Sequence, residues 1–168
     1  IDPGAHRLLI HGLVERPLFF DMDALPRYPM ISRIQFIECS GNSRVAGLIP
    51  EPVAGTCSSL HGLVSCSEWT GVPLAVLLDE AGVDPQAGWI LAEGSDAAAM
   101  SRSVPMAKAM DDAMIALYQN GEWLRPEYGY PIRLFLPGYE GNMSVKWLRR
   151  IKVTAGTTMT KDAPSKYS

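Results

Sequence analysis

Cys39 lies in the run FIECSGN, residues 36 to 42, where an apolar stretch gives way to a turn. Ile34, Phe36 and Ile37 are β-branched or aromatic strand formers, and Ser40, Gly41 and Asn42 then break the pattern. The thiol is therefore expected at the rigid end of a strand, offered to a loop. Three chemistries suit it. A free cysteine is often simply buried in a core. A nucleophilic cysteine needs a histidine base, and His6, His11 and His61 occur without any flanking cysteine-peptidase signature. A single thiolate also suits a soft or high-valent metal whose remaining ligands come from a cofactor. The residue pattern leaves all three open.

A second chemical signal is GYPIRLFLPGYEGNMSVKWLRRIKV, residues 129 to 153. Ile132, Leu134 and Leu136 alternate with Arg133 and Phe135, so Arg133 is expected to face away from the apolar stripe. The loop GYEGNMSVK that follows carries Gly138 and Gly141, which let backbone approach a ligand, and then Ser144 and Lys146. Arginine, lysine and exposed backbone N–H groups together are how proteins hold phosphate. Arg149, Arg150 and Lys152 extend the basic cluster toward a local anion site. A solvated basic strand edge would read the same on charge alone.

Short elements must position these groups. Residues 7–14 read as a strand, followed by a Pro-bounded turn and a short helix around Met22 to Leu25. Residues 31–39 read as a strand with apolar residues on both faces, as in a buried sheet. Residues 43–60, interrupted by Gly47, Pro50, Pro52 and Gly55, read as a loop long enough to be functional. A helix is predicted after Pro73, with Leu74, Leu77, Leu78 and Ala81 on one face and Gly82 ending it. Residues 88–94 read as a short buried strand, and Asn120-Gly121 as a hairpin turn. Residues 131–137 form a further strand, WLRRIKV closes the core, and the tail from Thr154 is irregular. There is no internal repeat and no regular βαβ alternation, which gives an α+β fold of mixed β-sheets with surrounding helices.

The totals exclude several classes. A chain of 168 residues, 47% hydrophobic and 20% charged, fits one soluble domain with a sizeable core. No apolar stretch approaches a membrane span. A net charge of -3 argues against a nucleic-acid partner. Three cysteines make no disulfide framework, and no CxxC or Cys/His zinc spacing occurs. Cys57 and Cys66 are expected as buried free thiols, able to pair only in an oxidising compartment. The chain starts at Ile1 and ends in DAPSKYS, so a piece of a longer polypeptide is expected.

Taken in order, IECSGN, WTGVPLAVLLDEAGV, the segment 129–153 and the terminal tyrosine resemble the sulfite oxidase family of molybdopterin enzymes over nearly the whole chain. Within it, HGLVSCSEWTGV, GYEGNMSVKWLRRIKV and SKYS look most like the molybdenum subunit of Sox-type sulfane dehydrogenases. The resemblance implies a sulfite oxidase-like molybdopterin-binding fold over residues 1–168 and a molybdenum–molybdopterin cofactor. It implies Cys39 as the molybdenum ligand. Asp96, Tyr128, Arg133, Ser144, Val145 and Lys146 match positions that hold the pterin and its phosphate, with Tyr128 where many relatives carry histidine. Arg44, five residues after Cys39, matches an arginine facing a substrate oxyanion, and Tyr167 the active-site tyrosine. Asn42, His61, Trp69 and Trp147 are structural on this reading, with His61 nearest the pocket. Ser59 falls near a position where sulfite-oxidising relatives place a tryptophan, which implies a more open pocket.

The implied reaction is oxidation of sulfane sulfur or sulfite by oxo transfer, with electrons leaving to a c-type cytochrome. The substrate would be a small sulfur oxyanion or sulfur held on a carrier protein. No CxxCH haem motif occurs, so haem would sit on the partner. The resemblance further implies a periplasmic location and an oligomeric full-length subunit. That subunit would add an N-terminal segment bearing another arginine and a C-terminal immunoglobulin-like domain. Two rivals stand beside it. One is a sulfoxide reductase with the same cofactor, disfavoured by Arg44, which suits an anionic substrate. The other is a cofactor-free scaffold of the same fold, disfavoured by the joint presence of Cys39, Asp96, Arg133 and Lys146.

Overall fold

Alternating apolar side chains build two five-stranded sheets in the computed structural model, which describes residues 1–43 and 54–160. The first sheet contains β1 (Arg7–Gly12), β2 (Leu18–Asp21), β5 (Trp89–Gly94), β6 (Ser101–Pro105) and β10 (Leu148–Thr154), in the order β2-β1-β10-β5-β6. β1 and β10 run parallel, with Ile10 opposite Ile151, and the other pairs are antiparallel. The second sheet orders β3 (Ile31–Glu38), β4 (Val64–Pro73), β7 (Met114–Gln119) and β8 (Glu122–Trp123). β9 (Arg133–Phe135) adds to it by pairing with β7. Three short α-helices, α1 (Cys57–His61), α2 (Leu74–Ala81) and α3 (Met106–Asp111), and three 3-10 turns, Leu25–Arg27, Pro126–Tyr128 and Gly141–Met143, complete the elements of the described residues. The expected α+β class with mixed sheets holds.

The core follows the predicted stripes. Leu74, Leu77, Leu78 and Ala81 of α2 are buried against Leu8 and Ile10 of β1, Ile90 of β5 and Ile151 of β10. Full burial of each large side chain is worth about 1.5–3 kcal/mol, so this face fixes α2 on the sheets. Pro73 stands at the N-cap of α2, and Gly82 closes it at φ 70°, with its N–H donating to the Asp79 carbonyl. β9 serves two cores: Leu134 joins the larger one, while Phe135 joins Trp69, Met114, Ala116 and Leu124 in a smaller one. Asn120 and Gly121 both take positive φ, 52° and 79°, as the hairpin between β7 and β8 requires.

Several expectations are corrected. β3 is not buried on both faces: it is the outer strand of its sheet, with Ile34 75% and Phe36 50% exposed. Residues 57–61 are helical rather than loop, because Thr56 and Ser59 cap each other's backbone. β2, β4, β6 and α3 were not predicted. Cys57 and Cys66 are free as expected, but both are exposed. Arg149 and Arg150 do not serve an anion site: both grip the Glu93 carboxylate, at 2.6 and 2.5 Å. Among the described residues no helix is long and apolar enough to cross a membrane.

Candidate functional site

Cys39 follows directly on β3, exposed, at the head of a turn that hydrogen bonds fix from both sides. Its N–H donates to the Leu63 carbonyl at 2.9 Å, and its own carbonyl accepts from Asn42 N–H at 2.8 Å. The Asn42 side chain bridges outward, accepting from Leu63 N–H at 3.0 Å and donating to Glu38 Oε1 at 2.8 Å. Ser43, at φ 60°, meets His61 Nδ1 through its hydroxyl at 2.5 Å. The Gly41 N–H points at Cys39 Sγ, 3.4 Å away. Sequence and structure thus agree on a thiol presented by a rigid turn. Among the described residues no three His, Cys, Asp or Glu side chains converge, so a metal on Cys39 would take its other ligands from a cofactor.

A cleft of about 710 Å³ opens beside this turn, lined by Cys39, Trp69, Tyr128, Arg133, Asn142 and Lys146 among others. A second cavity of about 290 Å³ shares Arg133, Asn142 and Lys146 with it and adds Asp96, Ser144 and Trp147. Arg133 is only 6% exposed. Its guanidinium donates to the carbonyls of Tyr128 at 3.1 Å and Ser144 at 2.8 Å, while its Nε has no partner. It makes no salt bridge among the described residues. Burial alone pushes this guanidinium down to about 10, so it stays charged at neutral pH. Lys146 donates from Nζ to the Glu127 carbonyl at 3.0 Å. Its ammonium is also lowered, chiefly by burial and then by the Arg133 charge, with Asp96 and Glu127 opposing.

Gly129 makes this closeness possible. At φ 110° it leaves room where a Cβ would meet Lys146 Cβ at 3.0 Å and Arg133 Cβ at 3.1 Å. Ser144 is buried, and its hydroxyl accepts from Leu136 N–H at 3.1 Å, which pins the loop behind both cations. Asp96 accepts from Met100 N–H at 3.1 Å and lines the second cavity. The Val145 side chain lies in the larger core, and its carbonyl accepts from Leu134 N–H at 2.9 Å. Arg44 and Tyr167 lie outside the described residues.

Asn142 was not singled out from sequence, yet it lines both cavities. Buried Arg102 donates from Nε to Asn142 Oδ1 at 2.8 Å, and Asn142 Nδ2 donates to Glu140 at 2.7 Å. The only sequence signal was its place between Gly141 and Ser144. Trp69 also lines the cleft, against the expectation of a purely structural residue.

Two cations without a salt bridge among the described residues, a partnerless buried Nε and a presented thiol fit a group that is anionic at one end and thiophilic at the other. Residues 1–161 match the family described as "Oxidoreductase molybdopterin binding domain". The chain is 38% identical to an NADH nitrate reductase of Volvox carteri, covering 89% of this chain and 19% of that one. It is 35% identical to an NADPH nitrate reductase of Phytophthora infestans, covering 92% of this chain and 18% of the relative. In structure it is similar to the sulfane dehydrogenase SoxCD of Paracoccus pantotrophus, with TM-score 0.94 and 44% identity. That match covers 99% of this chain and 42% of the other. The chain thus spans about a fifth of the length of these nitrate reductases.

Proposed function

The chain belongs to the oxidoreductase molybdopterin binding domain family, and from that premise we propose that it oxidises a reduced sulfur substrate, sulfane sulfur or sulfite. One observation carries the site assignment: Cys39 and the cations Arg133 and Lys146 open on a single cleft. Cys39 would ligate molybdenum through its thiolate, steadied by the Gly41 N–H and by the clamp between Asn42 and Leu63. Arg133 and Lys146 would bind the anionic end of the pterin, with Asn142, Ser144, Asp96 and Tyr128 around its polar edge and Val145 supporting from behind. When bound, the cofactor supplies two-electron redox chemistry with oxygen-atom transfer. Arg44 would hold the substrate anion, and the Tyr167 phenol would donate a hydrogen bond beside the reacting oxygen.

The domain would work within a longer polypeptide in the periplasm, passing electrons to a c-type cytochrome on a partner. The similarity to a sulfane dehydrogenase supports the sulfur reading. A substrate larger than free sulfite is part of the same proposal, resting on Ser59 standing where the resemblance puts a tryptophan in sulfite-oxidising relatives; in the structure its hydroxyl caps Thr56 at the start of α1. Nitrate reduction is the second reading, supported by the curated relatives, since it moves an oxygen atom in the opposite sense on another small oxyanion. Molybdenum and pterin analysis of the purified protein separates an enzyme from a cofactor-free scaffold. Steady-state kcat/KM for sulfite, thiosulfate, a protein-bound persulfide, nitrate and a sulfoxide then decides the reaction. Preference for nitrate or a sulfoxide over every sulfur donor would overturn the proposal.

A further inference from the structure

Arg133 and Lys146 differ from the ion-paired cations of the described residues in having an aromatic face but no carboxylate in salt-bridge reach. Arg33, Lys108, Arg125, Arg149 and Arg150 all pair with carboxylates. Arg133 and Lys146 make no salt bridge among the described residues, and each lies over an indole. The Arg133 guanidinium is 5.3 Å from the Trp69 ring centre, and Lys146 Nζ is 4.5 Å from that of Trp147. A carboxylate would hold a cation and cancel its charge. An aromatic face attracts the cation through its quadrupole and leaves the net charge whole.

Both indoles are fixed by contacts that do not involve the cations. Trp69 is 2% exposed, stacks on Phe135 at 4.8 Å, and donates from Nε1 to the Gln35 carbonyl at 3.2 Å. Trp147 adopts φ 53°, an uncommon conformation for so bulky a residue. Its backbone is locked there by hydrogen bonds with Gly129 at 3.3 Å and Ser95 at 2.8 Å. Its ring N–H donates to the Pro126 carbonyl at 2.9 Å. Strain of this kind persists where surrounding structure enforces it, typically at functional sites.

We propose that Trp69 and Trp147 are positioning residues of the anion site: their faces hold Arg133 and Lys146 without neutralising them, so that a phosphate-bearing ligand meets both charges intact. The inference rests on the reading of Arg133 and Lys146 as the anion-binding pair. A carboxylate at either tryptophan position would fix the same cation and abolish the site. The arrangement selects for ligands that bring their own negative charge.

The test uses inorganic phosphate as probe, titrated into the protein purified free of cofactor, with molybdopterin content of the cofactor-loaded protein as second readout. Tryptophans carrying one to four fluorines are placed at position 69, and separately at 147, by codon suppression. Fluorination weakens the quadrupole while nearly preserving size, so folding is retained and thermal stability stays near that of the parent. Phosphate affinity should fall stepwise along each series, by between about 2-fold and 30-fold in total. The R133M variant is measured alongside. If R133M binds phosphate as the parent does, the anion-site reading fails and the inference fails with it. If R133M loses binding while both fluorinated series stay flat, the tryptophans are merely structural and only the present inference is overturned.

Discussion

Replacing Arg133 with methionine should move stability and ligand affinity in different directions, and the structure gives the sizes. In the ligand-free protein the guanidinium is buried without a counter-charge, which lowers it to about 10. That is a burial cost of roughly 3 kcal/mol at neutral pH, which methionine would remove. Against this, two carbonyls lose a donor. The Tyr128 carbonyl belongs to an exposed residue and can take water, whereas buried Ser144 is stranded at a cost of about 1–3 kcal/mol. The terms nearly cancel or slightly favour the variant, so the melting temperature without ligand should hold steady or rise by a few degrees. Anion affinity should fall by about 10- to 150-fold, the equivalent of a charge-assisted bond of about 1.5–3 kcal/mol. The pH dependence follows from linkage. Below about 10 both folded and unfolded states carry the proton, and the burial cost is fully present. Above about 10 the folded state releases its proton before the unfolded one, so parent stability gains on the variant as pH rises beyond that point. Thermal unfolding at several pH values, paired with phosphate titration, measures both. A variant that melts many degrees lower while binding phosphate normally would show Arg133 to be a structural residue.

Cys39→Ser should leave the fold intact, since the thiol is exposed and among the described residues its Sγ hydrogen-bonds only with the Gly41 N–H, but should abolish turnover and metal retention. Molybdenum analysis beside a melting curve checks it, and near-normal activity would remove the ligand assignment. Gly129→Ala should destabilise by at least about 1 kcal/mol, because φ 110° disfavours alanine, and should also weaken phosphate binding by pushing Arg133 and Lys146 apart. Affinity unchanged in a folded variant would separate this glycine from the site. Glu93→Gln should cost about 1–3 kcal/mol by loosening Arg149 and Arg150, measured by urea unfolding, with no change in phosphate affinity. A loss of phosphate binding there would mean that the two arginines reach the anion site after all.

What could be read from the sequence was whatever local rules decide. The turn after β3 was legible because Ser40, Gly41 and Asn42 leave few alternatives, and α2 was legible from its Pro73 start, apolar face and Gly82 stop. The Asn120-Gly121 turn needs two positive φ values, and that dipeptide supplies them cheaply. What was lost depended on partners distant in sequence. β3 carries the pattern of a buried strand, yet its place at the sheet edge is set by pairing with β4 alone among the described residues. Arg149 and Arg150 looked like ligand groups until Glu93, far away on β5, came to meet them. Arg133 was expected to point away from the apolar stripe, and it does. That side of β9, however, faces a second small core and the Trp69 ring rather than water. No periodicity in one strand reveals what packs on its far side.

The parallel pairing of β1 with β10 also fixes an order of events during synthesis. Residues 7–12 must wait for residues 148–154 before they gain their inner neighbour. Until then the hairpins β1–β2 and β5–β6 have no strand in common, because β10 is the one that joins them. Contacts so distant along the chain form late and slowly. Ser144 and Lys146 lie immediately before β10, so the cationic pair is assembled only as the last strand docks. A ribosome-bound chain interrupted before that strand has no complete anion site. Arg133 and Lys146 can therefore meet one ligand together only once the last described strand has closed the first sheet.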